Sequence, residues 1–413
     1  MMKLIQGLIL VLLFIFISGC GYNEEPPQLQ NTVITPNQSE YNPPNQDDHQ
    51  IEKENNFTEQ LTQNQQAVED TNCIGKNLFE YSPTNLDKIE FITPLGQMAA
   101  EHVLPTDHQY YYGKDEKAEI EIYSPAEGQV TFVQHMTSPV ADPGAIREVD
   151  DYYILIEHAC GKDSAFIHVD YPIKEIVDAV GDKDYVQIHL PVKAGQLVGT
   201  YTYSVDYNVF DKNAKTNFVD RSSYEGSRFL EVTDPFDYFS ESIKTKMQEK
   251  SLRSVEPFGG KIDYDIDGKL VGNWFEVGTK HYQGLKLERY WAGHLSISYN
   301  NLDPNLIMIS MGTYEPDKAM QFAVKGNSPD PAEIDQNSGI IKYELVDYQF
   351  YHNGESWDRL TYTKNLVGKP MQQAHGTLLV QMVEPRKIKL EVFPNKNGNQ
   401  VNGFTSKAKF FER

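Results

Sequence analysis

The sequence predicts an all-β protein: a hairpin-built antiparallel β domain, then a second all-β domain that is a sandwich or a barrel, with one helix between them. Three observations carry this. Short runs that alternate apolar and polar side chains recur from about residue 75 to the end of the chain, broken by Gly, Pro, Asn and Asp. Helical spacing is confined to one short segment in the first half and one connector near residue 240. Finally, 25 Tyr in 413 residues, with 12% aromatic side chains, supply the amphipathic groups that suit strands with one wet face.

The first element is not part of that fold. Residues 1–20, MMKLIQGLILVLLFIFISGC, join an early Lys3 to an apolar run from Leu8 to Ile17 and end on Ser18, Gly19 and Cys20. That order of charge, apolar core and small residues defines a signal peptide, and the run is shorter than the ~20 residues a membrane span needs. A small pair directly before a cysteine resembles the bacterial lipobox, which implies cleavage before Cys20, lipidation of Cys20 and a mature chain tethered to a membrane outside the cytoplasm. Residues 21–72 are rich in Asn, Gln, Glu and Pro and poor in large apolar groups, so they read as a disordered linker. At ~5 to 6 Å times the square root of its length, such a coil holds the folded part roughly 40 Å from the lipid, within reach of a wall layer or a neighbouring surface protein.

About 340 residues remain, enough for two domains. The net charge of -22 argues against nucleic acid and against anionic polymers as partners. Of three cysteines, lipidated Cys20 leaves Cys73 and Cys160 as the candidates for a disulfide that would pin the start of the first domain. No CxxC or zinc-finger spacing is present.

The first domain is expected over residues 73–233. AEIEIYSP and GQVTFV flank the turn PAEG as one hairpin, and YYILIEHA and SAFIHVDY flank CGKD as another. IKEIVDAVG is a short helix with Ile173, Ile176 and Val177 on one face and Gly181 as its stop. Two further strands follow in LPVKAGQLVGTYTYS and VDYNVFD. Residues 234–254 are the helical connector, with Asp234 as cap, Pro235 in the first turn, and Phe236, Phe239, Ile243 and Met247 at helical spacing.

Residues 255–413 form the second domain. Asp263, Asp265, Asp267 and Gly268 match the start of a calcium loop, but position twelve is Trp274 in place of Glu and no helices flank it. Alternation is the better reading, with Ile262, Tyr264 and Ile266 facing one way and Asp267-Gly268 turning a hairpin. Strands are expected in GHLSISYN, LIMISMG, IIKYELVDYQFYH, GTLLVQMVEP and KIKLEVFP, with FTSKAKFFER closing the chain. The Gly-x-Trp of LVGNWFEVG resembles the lipocalin strand motif, which implies an eight-stranded barrel around an apolar ligand pocket.

In the first domain, the order YSPAEGQVTFV, YYILIEH, FIHVD, VKAGQLVG and VDYNVFD resembles the lysostaphin-like, LytM-type zinc metallopeptidases across about residues 89–211. Gly128, His168, Gly195, Gln196 and Gly199 stand where that pattern has them. The resemblance implies zinc held by an early His and Asp and by a late His-x-His pair, with one position open for water. It casts His168 as the assisting catalytic histidine of the strand, not as a ligand. The early half would draw on His102, Asp107 and His108, although His102 and Asp107 are five residues apart where the family has four. The late pair is replaced by Asp206 and Asn208, so the domain is degenerate; an amide oxygen is a poor zinc ligand beside an imidazole.

Three readings stay open: a remodelled metal site using His102, Asp107, His108 and Asp206; a metal-free polar cleft that still binds something; and purely structural polar groups. The expectation is a non-catalytic LytM-like domain that binds peptidoglycan or an envelope protein, with zinc not favoured. The alternatives are a zinc metallohydrolase with an altered ligand set acting on cell-wall peptides, and a ligand-binding lipoprotein working through its C-terminal domain.

Overall fold

Period-two alternation turns most of the chain into ladders. The computed structural model describes residues 79–413 except 116, 143, 144 and 317, and no side chain of 137–149, 287 or 288. Cys20, the linker at 21–72 and Cys73 lie outside these residues. Cys160 is disulfide-bonded, with its partner outside them as well.

The first half contributes β1 (Ile89–Thr93), β2 (Gln109–Gly113), β3 (Ile120–Tyr123), β4 (Gly128–Asp142), β5 (Ala145–His158), β6 (Lys162–Val169), β7 (Tyr171–Pro172), β8 (Tyr185–Val192), β9 (Leu197–Tyr201) and β10 (Ser204–Asp211). Seven of them form one antiparallel sheet in the order β1-β2-β10-β6-β5-β4-β8, and β3-β9-β7 form a small second sheet. One face of the large sheet is apolar, because every second residue points there: Tyr111 of β2, Ile154 and Ile156 of β5, Phe166 of β6, and Val205, Tyr207 and Val209 of β10 are all buried in one cluster. Removing each such side chain from water contributes about 1.5–3 kcal/mol.

The expected β5–β6 hairpin forms. The one expected around PAEG does not, since β3 pairs with β9 whereas β4 pairs with β5 and β8. The turn is held from outside: Ser124 donates to Gln196 and accepts from Gly195, while Pro125 accepts from Glu80 and Tyr81. These backbone bonds carry the chain from the small sheet into the large one. Gly195 sits there at φ +75°, a left-handed conformation that favours glycine.

The short helix α1 (Lys174–Val180) ends at Gly181 with φ +57°. Its buried positions are Ile176 and Val180, while Val177, expected inward, is exposed. The connector is not one helix. A 3-10 turn at Pro235–Tyr238 is capped by Asp234, Phe239 is extended, and α2 (Glu241–Lys250) begins after it. Phe236, Phe239 and Met247 are buried in the core of the large sheet, and Phe239 is drawn into a parallel bridge with Phe79, which interrupts the helix there.

The second half contributes β11 (Gly272–Glu276), β12 (His294–Tyr299), β13 (Ile307–Glu315), β14 (Lys318–Val324), β15 (Ile341–His352), β16 (Glu355–Ser356), β17 (Val367–Glu384), β18 (Lys387–Pro394) and β19 (Lys409–Glu412). They run β14-β13-β12-β11-β19-β18-β17-β15, and β14 also pairs with β15, so these eight strands close into a barrel. Closure removes the sheet edges that an open sandwich would leave. Trp274, Ile297, Ile309, Phe322, Tyr343, Leu345, Leu378 and Val380 meet inside it. An eight-stranded barrel is just wide enough for its side chains to fill, and here they occupy the space that the expected ligand pocket would need.

Residues 261–266 form no ladder, so the expected strand there is absent; Asp267 and Gly268 do make a turn. The three aspartates serve separate partners: Asp263 accepts from Asn217, Asp265 from Val219 and Asn273, and Asp267 from Arg386. Carboxylates committed in three directions do not converge on a cation.

Sheet and barrel share buried clusters. Leu155, Ala165 and Phe210, on the face of the large sheet opposite its main core, pack with Phe218, Tyr224, Phe229, Ile262 and Phe275. Met98 packs with Leu306, Met308 and Val346 of the barrel region, and Asn301 donates to the Pro94 carbonyl at 3.1 Å. The loop leading to His102 is therefore seated on the barrel.

Candidate functional site

The site lies on the same sheet face, beside that contact. On β10 the residues between Val205, Tyr207 and Val209 point away from the core, which places Asp206 and Asn208 on this face. Register sets Asp206 opposite Tyr110 of β2 on one side and Ile167 of β6 on the other. His168 reaches the face through a β-bulge: Ile154 pairs with Phe166, but Tyr152 pairs with Val169, so two residues of β6 oppose one of β5. His168 occupies the bulge at φ +68°. A non-glycine residue held there costs on the order of 1–3 kcal/mol, and bulges re-aim side chains in this way.

The result is a row of alternating charges. Asp107 Oδ1 lies 2.9 Å from His108 Nδ1, and His108 Nε2 lies 3.3 Å from Asp206 Oδ2. The same Asp206 oxygen is 3.6 Å from His168 Nε2, whose Nδ1 is 2.7 Å from Asp151 Oδ2. Asp206, Asp151 and His108 are buried, whereas the His168 side chain is 49% exposed. The Tyr110 hydroxyl adds a contact to His108 Nε2 at 3.0 Å.

Protonation follows from this arrangement. Burial works to lower the pKa of His168, but the Asp151 hydrogen bond and the Asp206 charge outweigh it and raise the pKa to about 9. Burial likewise opposes protonation of His108, and Asp206 and Asp107 overcome it, so that imidazole is also raised. Asp206 is pushed up by its own burial against the pull of both histidines. Burial would raise Asp107, yet the His108 bond and charge hold it below the usual carboxylate range. His102 differs: although its rim reaches solvent, loss of water around the ring and then the His108 charge bring it down to about 4.

All five residues singled out in the sequence thus come together, but not as a set of metal donors. His102 meets His108 edge to face at 5.5 Å between ring centroids. Asp107 turns its carboxylate to the His108 ring, and Asn208 donates to the Asp107 carbonyl at 3.2 Å. Among the described residues no three His, Cys, Asp or Glu side chains are grouped to hold a metal ion. The residues do not fit a zinc centre as they stand: Asp206 Oδ2 lies 3.3 Å from His108 Nε2 and 3.6 Å from His168 Nε2, in the place between the two imidazoles where a cation would sit.

Nothing in the local sequence around Asp151 marks it, since only the bulge in β6 aligns it with His168. Asn208 carries a further feature. It is 2% exposed, and its Oδ1 accepts no hydrogen bond. Of the histidines assigned no role, His158 is held by Ser164 and the Glu127 carbonyl, and His135 by Asp150.

Neither the models of known protein families nor the curated protein sequences match this chain. Among solved structures, it is similar to a chain of the "Structure of the SpoIIQ-SpoIIIAH pore forming complex", at 12% identity over 40% of this chain and 92% of that one, with a TM-score of 0.24. No property of that complex is carried over on so slight a likeness.

Proposed function

We infer that this is a lipid-tethered extracytoplasmic protein whose LytM-like first domain binds cell-wall material or an envelope protein without cleaving it. The observation that carries the reading is Asp206 Oδ2, held 3.3 Å from His108 Nε2 and 3.6 Å from His168 Nε2. With Asp206 Oδ2 between them, the Nε2 atoms of both imidazoles face a carboxylate oxygen and not an open position for a cation.

One feature favours the metallohydrolase alternative: each imidazole has a carboxylate on Nδ1, as metal-binding histidines commonly do. A single experiment separates the two. Full-length protein in detergent is loaded with zinc, dialysed, measured for bound metal and incubated with purified peptidoglycan. Sedimentation with the polymer, without bound zinc or released peptides, is the expected result. One equivalent of zinc, with peptide release abolished by His168→Ala, would overturn the reading.

A further inference from the structure

β4 and β5 run on past their neighbours. Pairing of β4 with β8 ends at Gln134 and of β5 with β6 at Tyr152, yet β4 and β5 stay paired with each other from Met136 opposite Asp151 to Asp142 opposite Ala145. These seven residue pairs, at about 3.3 Å per residue, make a two-stranded ribbon that projects roughly 23 Å beyond the sheet. Its two edges differ. The His135 N–H donates to the Asp184 carbonyl and so points away from β5, and alternation turns the backbone of Thr137, Pro139 and Ala141 the same way. Proline has no N–H, so the β4 edge is blunted at its middle. The residues opposite these four, Tyr152, Asp150, Glu148 and Ile146, turn their backbone groups out along β5. Tyr152 meets Val169 of β6, but among the described residues no strand lies beside the other three, which leaves three N–H groups and three carbonyls in a row on that edge.

We propose that the free edge of β5 takes an extended, basic segment of a protein partner as a further strand. This rests on the binding reading above and chooses a protein over wall material. A two-stranded ribbon alone in water is marginally stable at best, and a third strand on β5 completes it with main-chain hydrogen bonds. The added strand lies in line with β6, so its inner end comes to the root of the ribbon, where Asp151 holds the 49% exposed His168. Charge sets the partner's chemistry: residues 145–151, AIREVDD, hold three acidic residues and one basic, Asp206 stands 3.6 Å beyond on His168, and the chain carries a net charge of -22. Lysine or arginine on the incoming strand is therefore favoured over acidic residues or an anionic polymer. A saccharide has no alternating N–H and C=O groups with which to match the edge.

The probe is the capped, fluorescently labelled heptapeptide TKVKVKT, titrated into the full-length protein in detergent and followed by anisotropy and by amide hydrogen exchange. Saturable binding with new protection confined to residues 145–152 is expected, and the acidic counterpart TEVEVET should bind about tenfold more weakly. Glu148→Pro removes one outward N–H without touching the ladder to β4, as Pro139 does across from it, and should weaken binding about tenfold; Glu148→Gln, which keeps the N–H, should weaken it less. Of two peptides N-methylated on alternate residues, the one that loses the donors facing β5 should fail and the other should bind, a comparison that leaves the protein unaltered. No saturation, equal affinity for the two N-methylated peptides, or protection outside residues 145–152 overturns the proposal. So does protection of that stretch that rises with protein concentration in the absence of peptide, which would assign the edge to a second copy of this chain. If intact peptidoglycan still sediments the protein when the peptide fails, the binding reading stands and only the edge falls; if neither binds, both fall.

Discussion

Replacing Arg413 by alanine tests the physical account of the barrel most directly. Its guanidinium is 1% exposed, lies 4.0 Å from the centroid of the Trp274 ring, and donates to the carbonyls of Val271 at 2.7 Å and Ile266 at 2.8 Å, and to that of Lys269. Asp265 Oδ1, equally buried, is 3.6 Å away. Alanine would strand the Asp265 carboxylate in a dry site and leave three carbonyls without these donors. Removing one partner of a buried ion pair costs about 3–5 kcal/mol, mainly through the charge left behind.

Arg413→Lys should fall between, since one ammonium keeps the charge but cannot span the three carbonyls. All three tryptophans, Trp274, Trp291 and Trp357, lie in the second half, so their fluorescence reports its unfolding in guanidinium chloride. Adding Asp265→Asn to Arg413→Ala should recover about 1–2 kcal/mol, the coupling expected of residues in contact. A loss below about 1 kcal/mol for Arg413→Ala would refute the reasoning, for it would mean that water reaches Asp265 freely.

His168 has a folded-state pKa of about 9, above its ordinary 6.5, so the stability it contributes is fully present below pH 6.5 and lost as pH rises through 9. The melting temperature should therefore fall over that interval, and His168→Asn, which tolerates positive φ, should flatten the fall; an identical slope in the variant would discount the row of charges. Asp206→His with Asn208→His should convert the anion-centred row into a site that takes up zinc stoichiometrically under chelator competition, whereas equal uptake by the native chain would contradict the charge argument. Asp234, raised to about 6 by burial, accepts from Phe236 and Gly259, each at 2.9 Å. Asp234→Ala should destabilise by about 1–3 kcal/mol. Asp234→Asn should remove a contribution that is full below pH 3.8 and lost as pH rises through 6, and a melting curve that keeps this dependence would argue against the assignment.

Much of this protein is legible residue by residue. Alternation in YYILIEHA and SAFIHVDY is enough to give β5 and β6, because a half-buried strand needs one apolar face and nothing more. Gly181 and Asp234 mark their helical boundaries, since left-handed φ and an unpaired N–H are local requirements. The identities of Asp206 and Asn208, at the positions where the resemblance implies two histidines, are likewise local facts.

What the tertiary structure decided is every feature that depends on register or on a distant partner. PAEG has good turn residues, yet Ser124 and Pro125 bond to Gly195, Gln196, Glu80 and Tyr81 and not across a hairpin. Closure of the barrel depends on β14 meeting β15, a pairing for which KAMQFAV carries no mark in its own composition. Asp151 reaches His168 only because a bulge shifts β6 by one residue. Alternation says which face a side chain takes; only the paired strands say what it meets there, and the chemistry of this site lies in those meetings.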